Sequence, residues 1–343
     1  MASAQDGIDE ARVTPWLEAN VEGLRPPLTY TLIAGGHSNL TYRVDDAAGG
    51  AFVLRRPPLG HVLATAHDMG REHRIISALG PTPVPVAPAL AYCDDTEVNG
   101  APFYVMAFVE GHILRDVAAA EPFDEAQRRT AGESLIDVLA EIHAVDPDAV
   151  GLGELGRKEG YIERQLRRWH KQFLDSKTRE VPALDDVFQR LHDAVPEQGP
   201  ATIVHGDYRL DNCLVGDDGH LAAVLDWEIC TLGDPLADLG LLMVYWTDPG
   251  DDGTALLTSP TALPGFPRRA ELLERYAERS GRDLSAIDYY TAFGYWKLAC
   301  IVEGVYARYR GGAMGSEASG FEAFATQVER LAAAAEEAVT RVA

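Results

Sequence analysis

Two rhythms of apolar and polar positions divide this 343-residue chain. Near the start, Thr14-Pro15 predicts a helix over residues 14–24, with threonine as N-cap and proline at the first helical position. Pro26-Pro27 stops it. Residues 29–33 and 40–44 are rich in β-branched and aromatic side chains and predict strands. A turn over residues 45–50 leads into a third strand, 51–56. The period then lengthens, and Met69, Ile75, Ile76 and Leu79 mark a helix over residues 68–79. A proline-rich link (Pro81, Pro83, Pro85, Pro88) leads to strands at 89–93 and 102–109, joined by a turn at Val98-Asn99-Gly100.

After Gly111 the helical period dominates, over residues 125–144, 162–174, 183–194, 235–246, 268–280, 286–309 and 321–342. Strand-like segments are confined to 202–204, 212–215 and 222–226. This order predicts an α+β fold. A small lobe, residues 1–110, carries the leading helix, an antiparallel β-sheet and one main helix. A larger, mostly helical lobe covers residues 111–343.

Composition adds exclusions. Apolar residues make up 46% and charged residues 24%, as in ordinary soluble globular proteins. The formal net charge of −23 argues against nucleic acid or an anionic membrane as the main partner, because both attract basic surfaces. The first twelve residues lack the basic and apolar regions of a signal peptide. The longest apolar stretches, 103–109 and 239–246, are too short to span a bilayer. Cys93, Cys213, Cys230 and Cys300 are scattered and form no C-x-x-C pair, which fits reduced thiols in a cytoplasmic protein.

The densest chemistry lies in His205-Gly206-Asp207-Tyr208-Arg209-Leu210-Asp211-Asn212, with Asp226 fourteen residues further on, at the end of a strand. Phosphoryl transfer needs metal ions to neutralise phosphate charge and a carboxylate to orient or deprotonate the attacking hydroxyl. Magnesium prefers oxygen ligands. Asn212 and Asp226 supply such oxygens, and Asp207 supplies the base. Asp and Asn are also common turn residues, but three features at this spacing favour the chemical reading.

In the small lobe, Gly35-Gly36-His37-Ser38-Asn39 forms a strand-to-strand turn that can lay backbone N–H groups over phosphates. The third strand ends in Arg55-Arg56, where kinases carry a lysine that pairs with phosphates and a helix glutamate. Arg55 aligns best and Arg56 is the alternative; Glu72 is the candidate glutamate. Met106 and Phe108 offer apolar walls for an adenine. Asp234 and Asp238 read as structural, with Asp234 capping a helix that starts at Pro235. Gly151-Leu152-Gly153-Glu154-Leu155-Gly156 matches a dinucleotide fingerprint, but it follows a helix rather than a strand. Arg164, Arg167, Arg168 and Lys171 form a basic stripe at helical spacing, suited to an anionic substrate or to a solvated face. The late helix with Tyr290, Trp296, Lys297 and Glu303 would border the same substrate, its aromatics reading as core.

These motifs together resemble the aminoglycoside phosphotransferase and choline kinase-like family of the protein-kinase-like superfamily. The run Arg164-Gln165-Leu166-Arg167-Arg168-Trp169 is similar to the subgroup also found fused to acyl-CoA dehydrogenases. The resemblance implies Mg-ATP bound between two lobes and phosphorylation of a small-molecule alcohol. It implies Asp207 as base, Asn212 and Asp226 as magnesium ligands, and Arg55 with Glu72 near the phosphates. Arginine for lysine at Arg55 departs from the pattern and supports a rival, a catalytically idle nucleotide-binding scaffold. The family name does not make an aminoglycoside the acceptor. A hydroxylated acid or its thioester is the acceptor class that the stripe and the subgroup suggest, with Arg164, Arg168 and Glu303 as substrate contacts.

Overall fold

The computed structural model describes residues 6–34, 39–59, 68–251, 259–311 and 321–342. The chain forms two compact units. One holds the described residues up to Gly111 together with Ala222–Glu228; the other holds His112–Leu221 and the described residues from Ile229 onward.

The first unit contains α1 (Glu10–Asn20), β1 (Thr29–Ala34), β2 (Leu40–Asp45), β3 (Ala51–Arg56), α2 (Met69–Leu79), β4 (Ala89–Cys93), the single-turn α3 (Thr96–Asn99) and β5 (Phe103–Ala107). The strands pair in the order β1-β2-β3-β5-β4, every neighbour antiparallel. Alternation puts Tyr42, Val44 and Leu54 in a core with Val13, Leu17 and Phe103. Asp68 caps α2 by accepting from Arg71 N at 2.9 Å. All four apolar residues expected on this helix are buried.

Helix α1 corrects one expectation. It begins at Glu10, so Pro15 lies inside it, and Thr14 exchanges a 2.9 Å hydrogen bond with Tyr30 instead of capping. An interior proline costs about 3 kcal/mol. Full burial of Val13 and Leu17 returns about 1.5–3 kcal/mol each, so packing outweighs the local signal. The turn expected at Val98–Gly100 is the end of α3, closed by Gly100 at φ +70°.

The second unit is mostly helical: α4 (Val117–Ala120), α5 (Glu125–Ala144), α6 (Tyr161–Ser176), α7 (Pro182–Asp193), α8 (Leu236–Tyr245), α9 (Arg269–Ser280), α10 (Ile287–Arg310) and α11 (Glu322–Val339). Later strands are short: β6 (Thr202–Val204), β7 (Cys213–Val215), β8 (Leu221–Val224) and β9 (Thr231–Gly233). β9 pairs antiparallel with β6 and was not expected from the sequence. Three residues are too few to show a period. Helix α8 is buried from Leu236 to Val244 and lies against α10, where a Cβ on Gly240 would come within 2.5 Å of the Tyr290 backbone. The glycine fingerprint at 151–156 lies between α5 and α6, with no strand before it.

Candidate active site

Strand β3 and helix α2 bring Arg55 and Glu72 together in the first unit. Arg55 Nε lies 3.0 Å from Glu72 Oε2, and Nη2 lies 2.7 Å from Asp226 Oδ1. Glu228 Oε2 is 3.8 Å from the same nitrogen. Tyr104, cross-strand from Arg55, donates its hydroxyl to Glu72 Oε2 at 2.9 Å. Asn39 Nδ2 donates to Glu72 Oε1 at 2.9 Å and to Glu228 Oε2 at 3.2 Å. Burial opposes the Arg55 charge, but Glu72, Tyr104 and Asp226 outweigh it and hold the guanidinium above its ordinary value. Burial likewise pushes the Glu72 carboxyl up, against the pull of Arg55. Arg56 points the other way along the alternation and donates to the carbonyls of Pro57, Gly7 and Asn99. Arg55, not Arg56, therefore meets the glutamate.

Three carboxylates share this one guanidinium. Glu72 keeps 3% of its side chain exposed, whereas Asp226 keeps 33%. Asp226 is therefore the more accessible of these two carboxylates. Asp226 does not end a strand, since β8 stops at Val224. It stands at φ +62°, the one non-glycine residue with positive φ among the described residues. Such a conformation costs on the order of 1–3 kcal/mol and persists where the surroundings over-determine it.

In the second unit, the loop after β6 is clamped by α8. Asp238 accepts from His205 N at 2.6 Å and from Gly206 N at 2.8 Å. Burial opposes the Asp238 charge. The hydrogen bond and charge of His143, the charge of His205 and the Gly206 N–H outweigh it and hold the carboxyl below its usual range. Gly206 sits at φ +90°, where a Cβ would also press within 3.0 Å of Ile229. Asn212 Nδ2 donates to Asp207 O at 2.7 Å and Oδ2 at 3.0 Å. Tyr245 donates its hydroxyl to Asp207 Oδ1 at 3.1 Å. Arg209 lies over the Tyr245 ring at 4.7 Å, its Nε 3.6 Å from Asp207 Oδ2. The Asp207 carboxylate is thus oriented from three sides. A cavity of about 260 Å³ adjoins, lined among others by Arg115, Arg209, Asp211, Tyr245 and Trp246.

The remaining predicted residues are dispersed. Gly35, Gly36, His37 and Ser38 lie outside the described residues. Met106 is buried in β5, and the Arg43 guanidinium lies over the Phe108 ring, 4.3 Å from the ring centre. Arg164 Nη2 donates to Arg157 O at 2.6 Å, and Lys171 pairs with Asp175 on the surface of α6. Arg168 stacks 5.0 Å over Trp169. Glu303 is fully buried and accepts from Thr178 N and Oγ1 at 2.8 Å each. Asp234 still accepts from Leu236 N at 3.0 Å, although the helix starts one residue after Pro235. Tyr104 and Tyr245 carry no sequence signal. Asp238 was legible as structural, but its hold on the loop was not.

A model of the phosphotransferase enzyme family matches residues 29–290. The chain belongs to this family. Within it, a Ralstonia eutropha protein provisionally assigned as an aminoglycoside phosphotransferase is 31% identical, with a TM-score of 0.83 over 98% of this chain and 99% of that one. Rat acyl-CoA dehydrogenase family member 11 is 35% identical over 86% of this chain, and mouse family member 10 is 35% identical over 80%. The chain spans 38% and 26% of those two proteins' lengths. The fold is the kinase-like α+β fold of the phosphotransferases, as expected from the residues. No helix among the described residues is long and apolar enough to cross a membrane.

Proposed function

We propose that this protein transfers the γ-phosphoryl group of Mg-ATP to a hydroxyl of a small molecule. The observation that carries this reading is the Asp207–Asn212 pair. Asn212 spends both amide hydrogens on Asp207, which leaves its carbonyl oxygen as a hard donor. Asp226, one third exposed, supplies the second hard oxygen. Each oxygen is of the hard type that magnesium takes, and on this reading Asn212 and Asp226 would be its ligands. When bound, the ion would neutralise charge on the phosphates. Asp207, held by Tyr245 and Asn212, takes the proton of the attacking hydroxyl. The new bond joins that oxygen to phosphorus while the bond to the leaving ADP breaks. Arg55, set by Glu72, would face the phosphates. Gly35 to Asn39, Met106 and Phe108 would complete the nucleotide contacts. Two structural neighbours, 15% and 12% identical, were solved with GDP and with ADP.

The cavity beside Asp207 supports a small acceptor. At about 260 Å³ it falls below the roughly 300–1,000 Å³ of sites for drug-sized ligands, which disfavours an aminoglycoside. Its arginines suit a hydroxylated acid or thioester. Calorimetric titration with Mg-ATP tests the reading first, with Asp226→Ala as the control that loses binding. A wild type that binds no nucleotide refutes it. A metabolite-pool screen for ATP-dependent phosphorylation then seeks the acceptor, and Asp207→Asn should lower kcat by about 10²–10⁴. The idle-scaffold rival rests on Arg55 holding Asp226; it predicts nucleotide binding without turnover.

A further inference from the structure

Lys297 lies on α10 with its ammonium out of water, and it donates to Gly206 O at 3.1 Å. The Trp169 ring is 5.8 Å away, a cation–π contact. An ammonium has three donors, and among the described residues this one spends a single donor on an oxygen. Asp207 and Asp238 favour its charge, and Arg168 opposes it. Burial lowers its proton affinity overall. Removing it would leave the buried Gly206 carbonyl without its one described donor, a modest loss of stability.

Its place suggests what it does. Asp238 holds the N–H groups of His205 and Gly206 from one side. Lys297 holds the carbonyl of the same Gly206 from the other, and that carbonyl belongs to the peptide leading into Asp207. Gly206 is at φ +90°, a conformation that glycine adopts freely and also leaves freely. That carbonyl accepts no other described bond, and the N–H of the same peptide makes only a long 3.3 Å bond to His205 Nδ1.

We propose that Lys297 is a positioning residue: its ammonium pins the Gly206 carbonyl and so fixes the direction in which Asp207 presents its carboxylate. This rests on the reading of Asp207 as the base, and the test separates the two. In Lys297→Met, amide exchange over residues 205–212 rises at least about tenfold above wild type, while the protein stays folded and the melting temperature falls by no more than a few degrees. The fall in kcat exceeds any change in Mg-ATP binding or in the nucleotide KM. The kcat, measured as ATP hydrolysis or with an acceptor from the screen, falls at least about tenfold. Lys297→Arg, which keeps a donor, recovers part of kcat. Unchanged exchange in the loop overturns the assignment whether or not the protein turns over. So does a melting temperature that collapses together with nucleotide binding, because that is plain loss of structure. A loosened loop with unchanged kcat overturns positioning for catalysis. A loosened loop in a protein whose wild type turns nothing over leaves Lys297 as the anchor and refutes the kinase reading.

Discussion

Arg55 stands on β3, and its guanidinium serves Glu72 and Asp226 at once. Its rigid planar fork presents separate N–H groups to the two carboxylates, a geometry that a flexible ammonium does not reproduce. Arg55→Ala leaves Glu72 buried without its counter-charge, which should cost about 3–5 kcal/mol. Arg55→Lys should cost less. Denaturant unfolding of the three proteins measures both, and an alanine variant as stable as wild type would refute the pairing. Asp238 offers a pH test. Its carboxyl is depressed in the folded state, so near pH 4 the unfolded chain binds more protons at this site. The stability it contributes is present above the usual carboxylate pKa of about 3.9 and drains away as pH falls below it. The gap in melting temperature between wild type and Asp238→Asn should therefore shrink from pH 6 to pH 3.5. A constant gap would mean the carboxylate charge contributes nothing. At this scale the sequence singled out Asp207, Asn212 and Asp226 by motif, and the structure bonds Asn212 to Asp207 and Asp226 to Arg55. The sequence favoured Arg55 and kept Arg56 as the alternative, because only the strand's register decides which of two neighbours faces α2. It was silent on Tyr104 and Tyr245, whose hydroxyls matter only through folded contacts.

Between elements, the contact of α8 with α10 is set by Gly240, which lets Tyr290 approach to a distance no side chain permits. Gly240→Ala raises helix propensity but forces the two helices apart. Overpacking of this kind costs about 1–3 kcal/mol against roughly 1 kcal/mol gained. Net destabilisation is expected, with α8 shifted and its clamp on His205 and Gly206 loosened. Thermal melts and turnover of the alanine variant check this; a more stable variant would show that the helices can yield. Long helices were readable because their period extends over several turns, as in α5, found at the residues expected. The short pieces were not. In β9 three residues carry no rhythm, and in α1 a proline that marks helix starts elsewhere sits mid-helix because Val13 and Leu17 are buried.

For the molecule as a whole, 53 acidic residues against 30 basic ones make self-repulsion a general force. Raising salt from about 0.01 to 0.15 M shortens the screening length from about 30 to 8 Å. The melting temperature should rise over that range. A fall would mean that local attractions, such as Asp137 with Arg275 and Arg279, dominate instead. The change from strand to helix rhythm near Gly111 was plain in the sequence. That a later stretch, Ala222–Glu228, returns to the first unit was not, because no linear pattern records it. That return has a consequence for synthesis. A ribosome adds roughly 5–20 residues per second, so Arg55 and Glu72 emerge on the order of ten seconds before Asp226 and Glu228. Throughout that interval the nascent first unit lacks two of its three carboxylates. Folding of the amino-terminal segment alone, ahead of the rest, would therefore stop short of its final form, and a protein cut after Gly111 would carry that deficit permanently.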